Sequence, residues 1–272
     1  MATILLTGPT GLVGSRLLPR LVDAGFTVRA LVRRDVELPD GATAVRGELD
    51  DPASLRTAVE GVDAVVHLAA LFRTGDEDAI WRANHDGTRN LLEAVSAYAP
   101  AARFVMASTG QVYDATATRP AREDDDCTPT HAYPASKIAA EKLVRESGLT
   151  WAILRLPFVY GDGDGHLASI PGLATRFGLH PAHTYSVAHH RDIAGMVQLA
   201  LTGAADGRIV NVTDDAPVTV WEMANLANEP IAGSGAPLEH PWSGRMDGSL
   251  ARELGFQPTV PTIHAAAADG IL

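Results

Sequence analysis

The sequence predicts an α/β protein built on a doubly wound parallel sheet of the Rossmann type, with a small C-terminal substrate-binding region. Three observations lead to this prediction. Short apolar runs alternate with helical patterns, a glycine-rich turn follows the first run, and the pattern becomes irregular and richer in proline and glycine after Gly161. Continuous apolar runs are typical of parallel strands buried on both faces. Their alternation with helices indicates a doubly wound sheet.

The apolar runs and helical patterns define the expected elements. The expected strands are 3–6, 26–32, 43–46, 64–68, 104–107, 151–156 and 209–212. The expected helices are 12–25, 52–60, 79–97, 133–146 and 192–201, the first kinked at Pro19 where a backbone hydrogen bond is lost. We therefore expect a dinucleotide-binding domain in 1–157, to which 188–212 return. Residues 158–272 are expected to form mainly the substrate-binding region.

Composition limits the possible partners and compartment. The chain has 272 residues, 46% of them hydrophobic, and a formal net charge of −11. The negative charge disfavours a nucleic-acid or anionic-membrane partner. The single cysteine, Cys127, excludes an intrachain disulfide and fits a reducing compartment. Because no signal peptide or bilayer-spanning run is recognised, a soluble, cytoplasmic protein is expected. No metal site is expected.

The glycine-rich turn reads Thr-Gly-Pro-Thr-Gly-Leu-Val-Gly at 7–14 and lies between an expected strand and an expected helix. Glycine lets the backbone turn tightly and approach a pyrophosphate closely, and the helix N-terminus offers N–H groups to the phosphates. The alternative is a glycine-rich turn with no ligand. Gly14 is expected to face the sheet. The residues expected to hold a dinucleotide here are Thr7, Gly8, Thr10, Gly11, Leu12 and Val13.

The next expected strands end in residues suited to the adenosine half of the cofactor. Arg33 and Arg34 follow the second strand, where an NAD site commonly has an acid for the ribose. Two cations favour the 2′-phosphate of NADP, although NAD remains possible and the arginines could simply be solvated. Glu48 and Leu49 are expected near the adenine, while Asp51 is suited to capping the following helix.

Further strand ends supply the remaining candidates, since ligands bind at the carboxyl ends of parallel strands. His67 is expected to be a packed histidine, and Gly87 is expected to let its helix pass close to a neighbour. Residues expected along the cofactor are Leu68, Ala69, Ala70, Asn84, Ala107 and Ser108.

Tyr133 and Lys137 open an expected helix and lie one turn apart on the same face. A free tyrosine has a pKa of ~10 and is a poor acid–base catalyst near neutrality. The lysine ammonium is expected to favour the phenolate and lower that pKa. Thr109 closes the fifth strand, where its hydroxyl could bond a reacting oxygen.

These motifs together resemble the extended short-chain dehydrogenase/reductase family, also called the NAD(P)-dependent epimerase/dehydratase family. The resemblance is carried by TGPTGLVG at 7–14, STGQVY at 108–113, YPASK at 133–137, RLPFVYG at 155–161 and HHRDIA at 189–194. It implies that Tyr133 is the acid–base residue, Lys137 its partner and Thr109 the hydroxyl that orients the substrate oxygen. By the same resemblance Leu156, Pro157, Phe158 and Val159 wall the nicotinamide pocket. The substrate is expected to contact Thr109, Gly110, Gln111 and Tyr160.

Two departures from the family pattern narrow the expected reaction. Nucleotide-sugar 4,6-dehydratases of this family carry Asp-Glu after the catalytic threonine, whereas this chain has Gly110 and Gln111. The segment before the 189–194 motif is short and poor in cations, with Arg176 alone before Arg191. We therefore expect hydride transfer between NADPH and a carbonyl or alcohol of a small organic substrate. A sugar-nucleotide epimerase is the alternative, and a non-catalytic NADP-binding regulator is a third.

The resemblance also implies a homodimer. The expected helices 79–97 and 133–146 each carry an apolar face that could pair with its copy in a two-fold four-helix bundle. In the alternative, both faces pack only on their own sheet.

Overall fold

A computed structural model describes residues 2–272. Its centre is a sheet of seven strands in the spatial order β10-β6-β5-β4-β1-β2-β3. Every neighbouring pair is parallel. The sheet strands are β1 (Thr3–Thr7), β2 (Thr27–Val32), β3 (Ala42–Arg46), β4 (Ala64–His67), β5 (Arg103–Thr109), β6 (Trp151–Leu156) and β10 (Arg208–Asn211). The predicted fold class is confirmed.

Helices cover both faces of this sheet. In chain order, the helices of the described residues are α1 (Gly14–Asp23), α2 (Pro52–Val59), α3 (Glu77–Trp81), α4 (Gly87–Tyr98), α5 (Ala132–Glu146), α6 (Ile170–Phe177), α7 (His190–Leu201), α8 (Val220–Leu226), α9 (Ser249–Glu253) and α10 (Ile263–Ala268). The single helix expected over 79–97 is divided, because a π-helical turn at Arg82–Asp86 separates α3 from α4. The first helix runs on through Pro19.

Side chains that alternate along the strands belong to two apolar layers, one on each face of the sheet. Ile4 and Leu6 of β1 belong to the layer that includes α1 and α7, whereas Leu5 belongs to the layer that includes α2, α4 and α5. All three side chains are fully buried. Successive residues of a strand point to opposite faces, so a run that is apolar throughout fits a strand covered on both sides.

The C-terminal part has its own apolar cluster, formed largely by α6, α8, α10 and the strands beside them. Two small strand pairings support it: β7 (Phe158–Tyr160) lies parallel to β9 (Val187–His189), and β8 (Thr184–Tyr185) lies antiparallel to β11 (Val218–Thr219). The chain then returns to the main sheet, where β10 pairs with β6. No helix among residues 2–272 combines the length and the apolar character that a membrane crossing would need.

Candidate active site

The candidate site lies where the strand order of the sheet reverses. β1 has β2 on one side and β4 on the other, so the connections from β1 and β4 leave in opposite directions. A crevice at the carboxyl ends of the strands is expected at such a point, and it is where dinucleotides bind in this architecture.

Gly8 and Gly14 make the loop after β1 compact. Gly8 has a φ of 69°, and a Cβ there would lie 2.8 Å from the backbone nitrogen of Ala69 after β4. A Cβ on Gly14 would lie 2.0 Å from the carbonyl oxygen of Gly8. Gly14 was expected to face the sheet and allow close packing, and the close approach in the structure is to the backbone of Gly8, directly after β1. Both positions therefore require glycine to keep the loop folded back on the helix.

The N-terminus of α1 is open to an anion. Val13, at the N-cap, makes no side-chain capping hydrogen bond. In the described residues 2–272, the first turn of α1 has no acidic side chain. By contrast, Asp51 caps α2 and accepts a hydrogen bond of 3.1 Å from the Ala53 N–H, as expected. Thr10 and Gly11 of the loop are exposed. An uncapped helix start behind an exposed glycine loop fits a pyrophosphate.

The residues expected near the adenosine lie along the adjoining rim. Arg33 and Arg34 are exposed directly after β2, and Glu48 is exposed after β3. Leu49 is half-buried against α4, where a Cβ on Gly87 would lie 2.9 Å from the Leu49 Cβ. The expectation that Gly87 permits a close approach is confirmed.

His67 is a structural residue, as the sequence predicted. Its ring is fully buried between the hydroxyls of Thr7, 2.7 Å from Nδ1, and Thr88, 2.9 Å from Nε2. Burial, and secondarily the charge of Lys137, lower the pKa of His67 to about 3, so the ring is neutral. The Thr7 hydroxyl also accepts a hydrogen bond of 3.1 Å from the Ala69 N–H. Thr7 thus ties the end of β1 to the end of β4.

Asn84 fixes the loop that follows β4. Its side chain accepts from the Leu71 N–H at 2.7 Å and donates to the Leu71 carbonyl at 2.9 Å. It also donates to the Ser136 hydroxyl at 3.0 Å, and Ser136 in turn bonds the Tyr133 carbonyl at 2.7 Å. The π turn places Asn84 where it connects this loop to the start of α5. Leu68, Ala69 and Ala70 line the same stretch, and Ala70 is exposed.

Thr109 ends β5, and Tyr133 and Lys137 lie one turn apart at the start of α5. Burial raises the pKa of Tyr133 to about 12, and the nearby Thr109 hydroxyl opposes the rise. Burial lowers the pKa of Lys137 to about 8, and the carboxylate of Glu141 opposes that fall. The expectation that Lys137 lowers the pKa of Tyr133 was wrong here, because burial of the phenol dominates and the group that opposes it is the Thr109 hydroxyl, not Lys137. Ser108 and Leu156 are buried nearby, with Ala107 half-buried.

A buried ion pair supports this group, and the sequence reasoning missed it. Arg155 of β6 donates to Glu141 twice, from Nε at 3.1 Å and from Nη2 at 2.7 Å. The Ser108 hydroxyl donates to the same carboxylate, and both charged side chains are 3% exposed. The available signals were an arginine inside an apolar strand and a glutamate one helical turn after Lys137. A buried bidentate pair fixes α5 against β5 and β6.

The structure separates the residues expected to contact substrate. Gln111 is exposed, whereas Gly110 lies under Met246, whose Sδ would be 2.3 Å from a Cβ at that position. Tyr160 is fully buried in the C-terminal cluster, and burial together with Asp214 and Asp192 raises the pKa of its phenol. The structure therefore places Tyr160 in the core and not at an open surface.

The segment expected to wall the nicotinamide runs from β6 into β7. Pro157 and Phe158 are half-buried, and Val159 is buried. The ring of Phe158 stacks on His166 with centroids 4.1 Å apart. This contact joins the segment to the loop that follows β7.

The chain resembles proteins of known activity. Residues 4–212 match the model of the NAD dependent epimerase/dehydratase family. A ceramide reductase of Caulobacter vibrioides is 32% identical over a match covering 64% of this chain and 51% of that protein. A 4-hydroxy-2-methyl-3-oxo-4-farnesyl-3,4-dihydroquinoline-1-oxide ketoreductase of Stigmatella aurantiaca is 32% identical over 82% of this chain and 71% of that protein. The chain therefore spans about half the length of the first relative and most of the second.

A solved structure shares the whole fold. The structure of MoeE5 in complex with UDP-glucose and NAD superposes with a TM-score of 0.80 and 26% sequence identity, over 98% of this chain and 96% of that one.

Proposed function

Because the chain belongs to the NAD dependent epimerase/dehydratase family, we propose that it transfers hydride between NADPH and a carbonyl of a small organic substrate. One observation carries the proposal: the Thr109 hydroxyl at the end of β5 lies near the Tyr133 phenol, and Lys137 is buried one turn along α5. The exposed glycine loop and the uncapped start of α1 support a bound pyrophosphate. Two relatives are named as reductases, one of ceramide and one of a farnesyl quinoline oxide. Gly110 and Gln111 offer no acid for eliminating water.

The chain's own residues divide the work as follows. Gly8 to Val13 and the start of α1 bind the pyrophosphate, and Leu156 to Val159 bound the nicotinamide pocket. A bound nicotinamide supplies or accepts the hydride. The Thr109 hydroxyl orients the substrate oxygen, and Tyr133 donates its proton as negative charge develops there. A phenol with a pKa of about 12 stays protonated at neutral pH and is ready to donate. Lys137 stabilises the phenolate that is left.

We further propose that NADP is preferred over NAD. Arg33 and Arg34 are exposed at the end of β2, where they can pair with a 2′-phosphate. MoeE5 was solved with NAD, so an NAD-dependent enzyme remains the alternative. The substrate is small, and the protein is proposed to work in the cytoplasm, where its single Cys127 stays reduced.

An epimerase is the second candidate. MoeE5, which covers nearly the whole chain, was solved with UDP-glucose. An epimerase returns the hydride to its substrate and leaves no net change in the cofactor. A binding protein without catalysis is the least supported candidate, because both Tyr133 and Lys137 are present.

The test is NADPH oxidation with a panel of carbonyl compounds. We expect Tyr133→Phe to lower turnover by about 100- to 10,000-fold, the usual range for general acid catalysis, and to leave NADPH affinity close to that of the wild type. Tyr98→Phe is the matched control, since Tyr98 is 45% exposed at the end of α4, and it should keep full activity. Repeating the assay with NADH measures the cofactor preference.

Three results would contradict parts of this proposal. Wild-type turnover by Tyr133→Phe would remove Tyr133 as the acid. Equal rates with NADH would remove the NADP preference. Interconversion of UDP-sugars without net NADPH oxidation would replace the reductase with the epimerase.

A further inference from the structure

The loop after β4 brings an aromatic ring and a cation to the candidate active site. Asn84 holds this loop at Leu71 through two hydrogen bonds. The next residue, Phe72, lies with its ring centroid 5.5 Å from that of Tyr133, yet it is 41% exposed. Its ring is therefore an apolar surface beside the proposed proton donor, open to an incoming molecule.

Arg73 follows in a left-handed conformation, with a φ of 61°. A residue other than glycine adopts this conformation at a cost, and such residues concentrate at functional sites. Its guanidinium lies 5.1 Å from the centroid of the Phe72 ring, and its Nη2 donates to Nε2 of His166. His166 stacks on Phe158. Arg73 thus stands between the proposed proton donor and the proposed wall of the nicotinamide pocket.

The histidine that holds Arg73 is neutral. Nδ1 of His166 lies 2.7 Å from the carbonyl oxygen of Val159, which can only accept, so Nδ1 carries the hydrogen and Nε2 is free to accept from Arg73. Burial lowers the pKa of His166, and the charge of Arg73 lowers it further. The contact therefore positions the guanidinium without neutralising it.

Two carboxylates in the loops around Arg73 and His166 are engaged elsewhere. Asp76 caps α3 by accepting from the Ala79 N–H at 2.9 Å. Asp164 accepts from the backbone N–H of His166 at 2.8 Å and pairs with the His190 ring at 2.8 Å. Among residues 2–272, no carboxylate lies within ion-pair distance of Arg73. Arg73 is exposed, so its charge is available to an anionic ligand.

We propose that Arg73 binds a carboxylate of the substrate, so that the substrate class is the oxo carboxylic acids. This inference rests on the proposed reductase function. The carbonyl would lie at Thr109 and Tyr133, and apolar carbons would cover Phe72. The remaining N–H groups of the guanidinium would bind the carboxylate as a pair, a geometry that arginine provides. Counting cations along the sequence between Tyr160 and His189 could not find this site, because Arg73 comes from a distant part of the chain.

The test compares 3-oxo carboxylates of increasing chain length with their methyl esters, which keep the carbonyl and remove the charge. We expect wild-type protein to prefer the acids in kcat/KM. Arg73→Gln should lose about 10- to 100-fold for the acids, as expected for a charge-assisted pair, while its rates with the esters change little. Arg73→Lys should recover part of the loss. Arg176→Gln is the matched control, because Arg176 also lies over a neighbouring phenylalanine ring, at 5.3 Å from Phe177, and should not change the preference.

A binding measurement makes the outcome independent of turnover. Calorimetry with the corresponding 3-hydroxy acids should show weaker binding to Arg73→Gln, while its NADPH affinity and melting temperature match those of the wild type. Equal use of acids and esters by the wild type, or an unchanged preference in Arg73→Gln, would overturn the inference and leave the reductase function standing. If Arg245→Gln lost the preference for acids and Arg73→Gln did not, the carboxylate would bind in the cavity beside Met246 and Asp214. That result would also overturn the inference. If neither acids nor esters oxidise NADPH, the proposed function fails together with this inference.

Discussion

At the level of single residues, the candidate site contains a lysine, Lys137, whose charged form is disfavoured by burial. Lys137 is 2% exposed, and burial lowers its pKa to about 8. The Glu141 carboxylate, one turn along α5, counters this effect. Glu141 is itself held by two bonds from Arg155 and one from Ser108. We infer that this buried pair positions Glu141 to keep Lys137 charged.

Glu141→Gln should therefore shift the alkaline limb of the pH–rate profile. Lys137 is protonated below its pKa, so activity that needs the ammonium is lost as pH rises through about 8. Removing the carboxylate lowers this pKa further, because only the effect of burial remains. The expected result is loss of kcat at a lower pH than in the wild type. Reductase assays across pH 6 to 10 measure it.

Two controls separate this effect from a loss of folding. Glu146→Gln changes the other Lys-to-Glu pair of α5, in which Lys142 and Glu146 are 3.9 Å apart and exposed, and should leave the profile in place. Because Glu141→Gln leaves Arg155 buried without its partner, it should also lower the melting temperature. A reduced melting temperature with an unshifted profile would limit Glu141 to a structural role.

Residue roles were predictable from the sequence only where the chemistry is local. Two features are visible within one helical turn of sequence: the spacing of Tyr133 and Lys137, and the Asp51 cap. In the structure Tyr133 and Lys137 both lie in α5, and Asp51 caps α2. The pKa of Tyr133 was predicted in the wrong direction, because burial by surrounding segments is not encoded in that spacing. Arg73 was missed for the same reason, since its contact with His166 and the contact of the preceding Phe72 with Tyr133 are long-range.

At the scale of elements, the glycine loop is tested most directly at Gly14. A Cβ there would lie 2.0 Å from the Gly8 carbonyl oxygen, a contact that backbone movement must relieve. Gly14→Ala should therefore displace the loop from the start of α1, lowering both the melting temperature and the affinity for NADP. Calorimetric titration with NADP and thermal unfolding measure the two effects.

Gly195→Ala is the matched control for this substitution. Gly195 lies inside α7, and a Cβ there meets nothing within 4 Å. Alanine is favoured over glycine in a helix by about 0.5–1 kcal/mol, so this variant should be slightly more stable and bind NADP normally. Normal NADP affinity in Gly14→Ala would show that the close packing of the loop does not shape the binding site.

Element prediction succeeded for the strands because most of the runs are apolar on both faces. The strand expected over 151–156 has the same bounds in the structure, and the others differ by a few residues at their ends. The break in the helix expected over 79–97 was not predictable. The π turn at Arg82–Asp86 accompanies a contact of Asn84 with Leu71, thirteen residues earlier in the chain.

For the whole molecule, the outer surface of α4 and α5 is the expected contact between two copies. Several of their apolar side chains, including Leu91, Val95 and Val144, pack on the chain's own sheet. What they leave outside is a shallow groove between the two helices, lined by Arg89, Leu92, Glu93, Ser96, Ala97, Leu143 and Ser147. The apolar-face argument for a dimer is weakened accordingly, and small residues with paired charges become the stronger argument.

We predict a two-fold dimer formed at this groove. In a two-fold symmetric contact, residue i of one copy meets residue j of the other, and residue j of the first meets residue i of the second. Arg89 of one copy can therefore face Glu93 of the other across antiparallel helices. Small side chains such as Ala97 allow the helices to approach.

Light scattering at micromolar concentration should give twice the chain mass of 28.7 kDa. Glu93→Arg should shift the protein towards monomer, because like charges would then oppose each other, and adding Arg89→Glu should restore the dimer. Glu229→Arg, at an exposed position after α8, should leave the mass unchanged. A monomeric wild type, or a Glu93→Arg variant as dimeric as the wild type, would show that this face is not the interface.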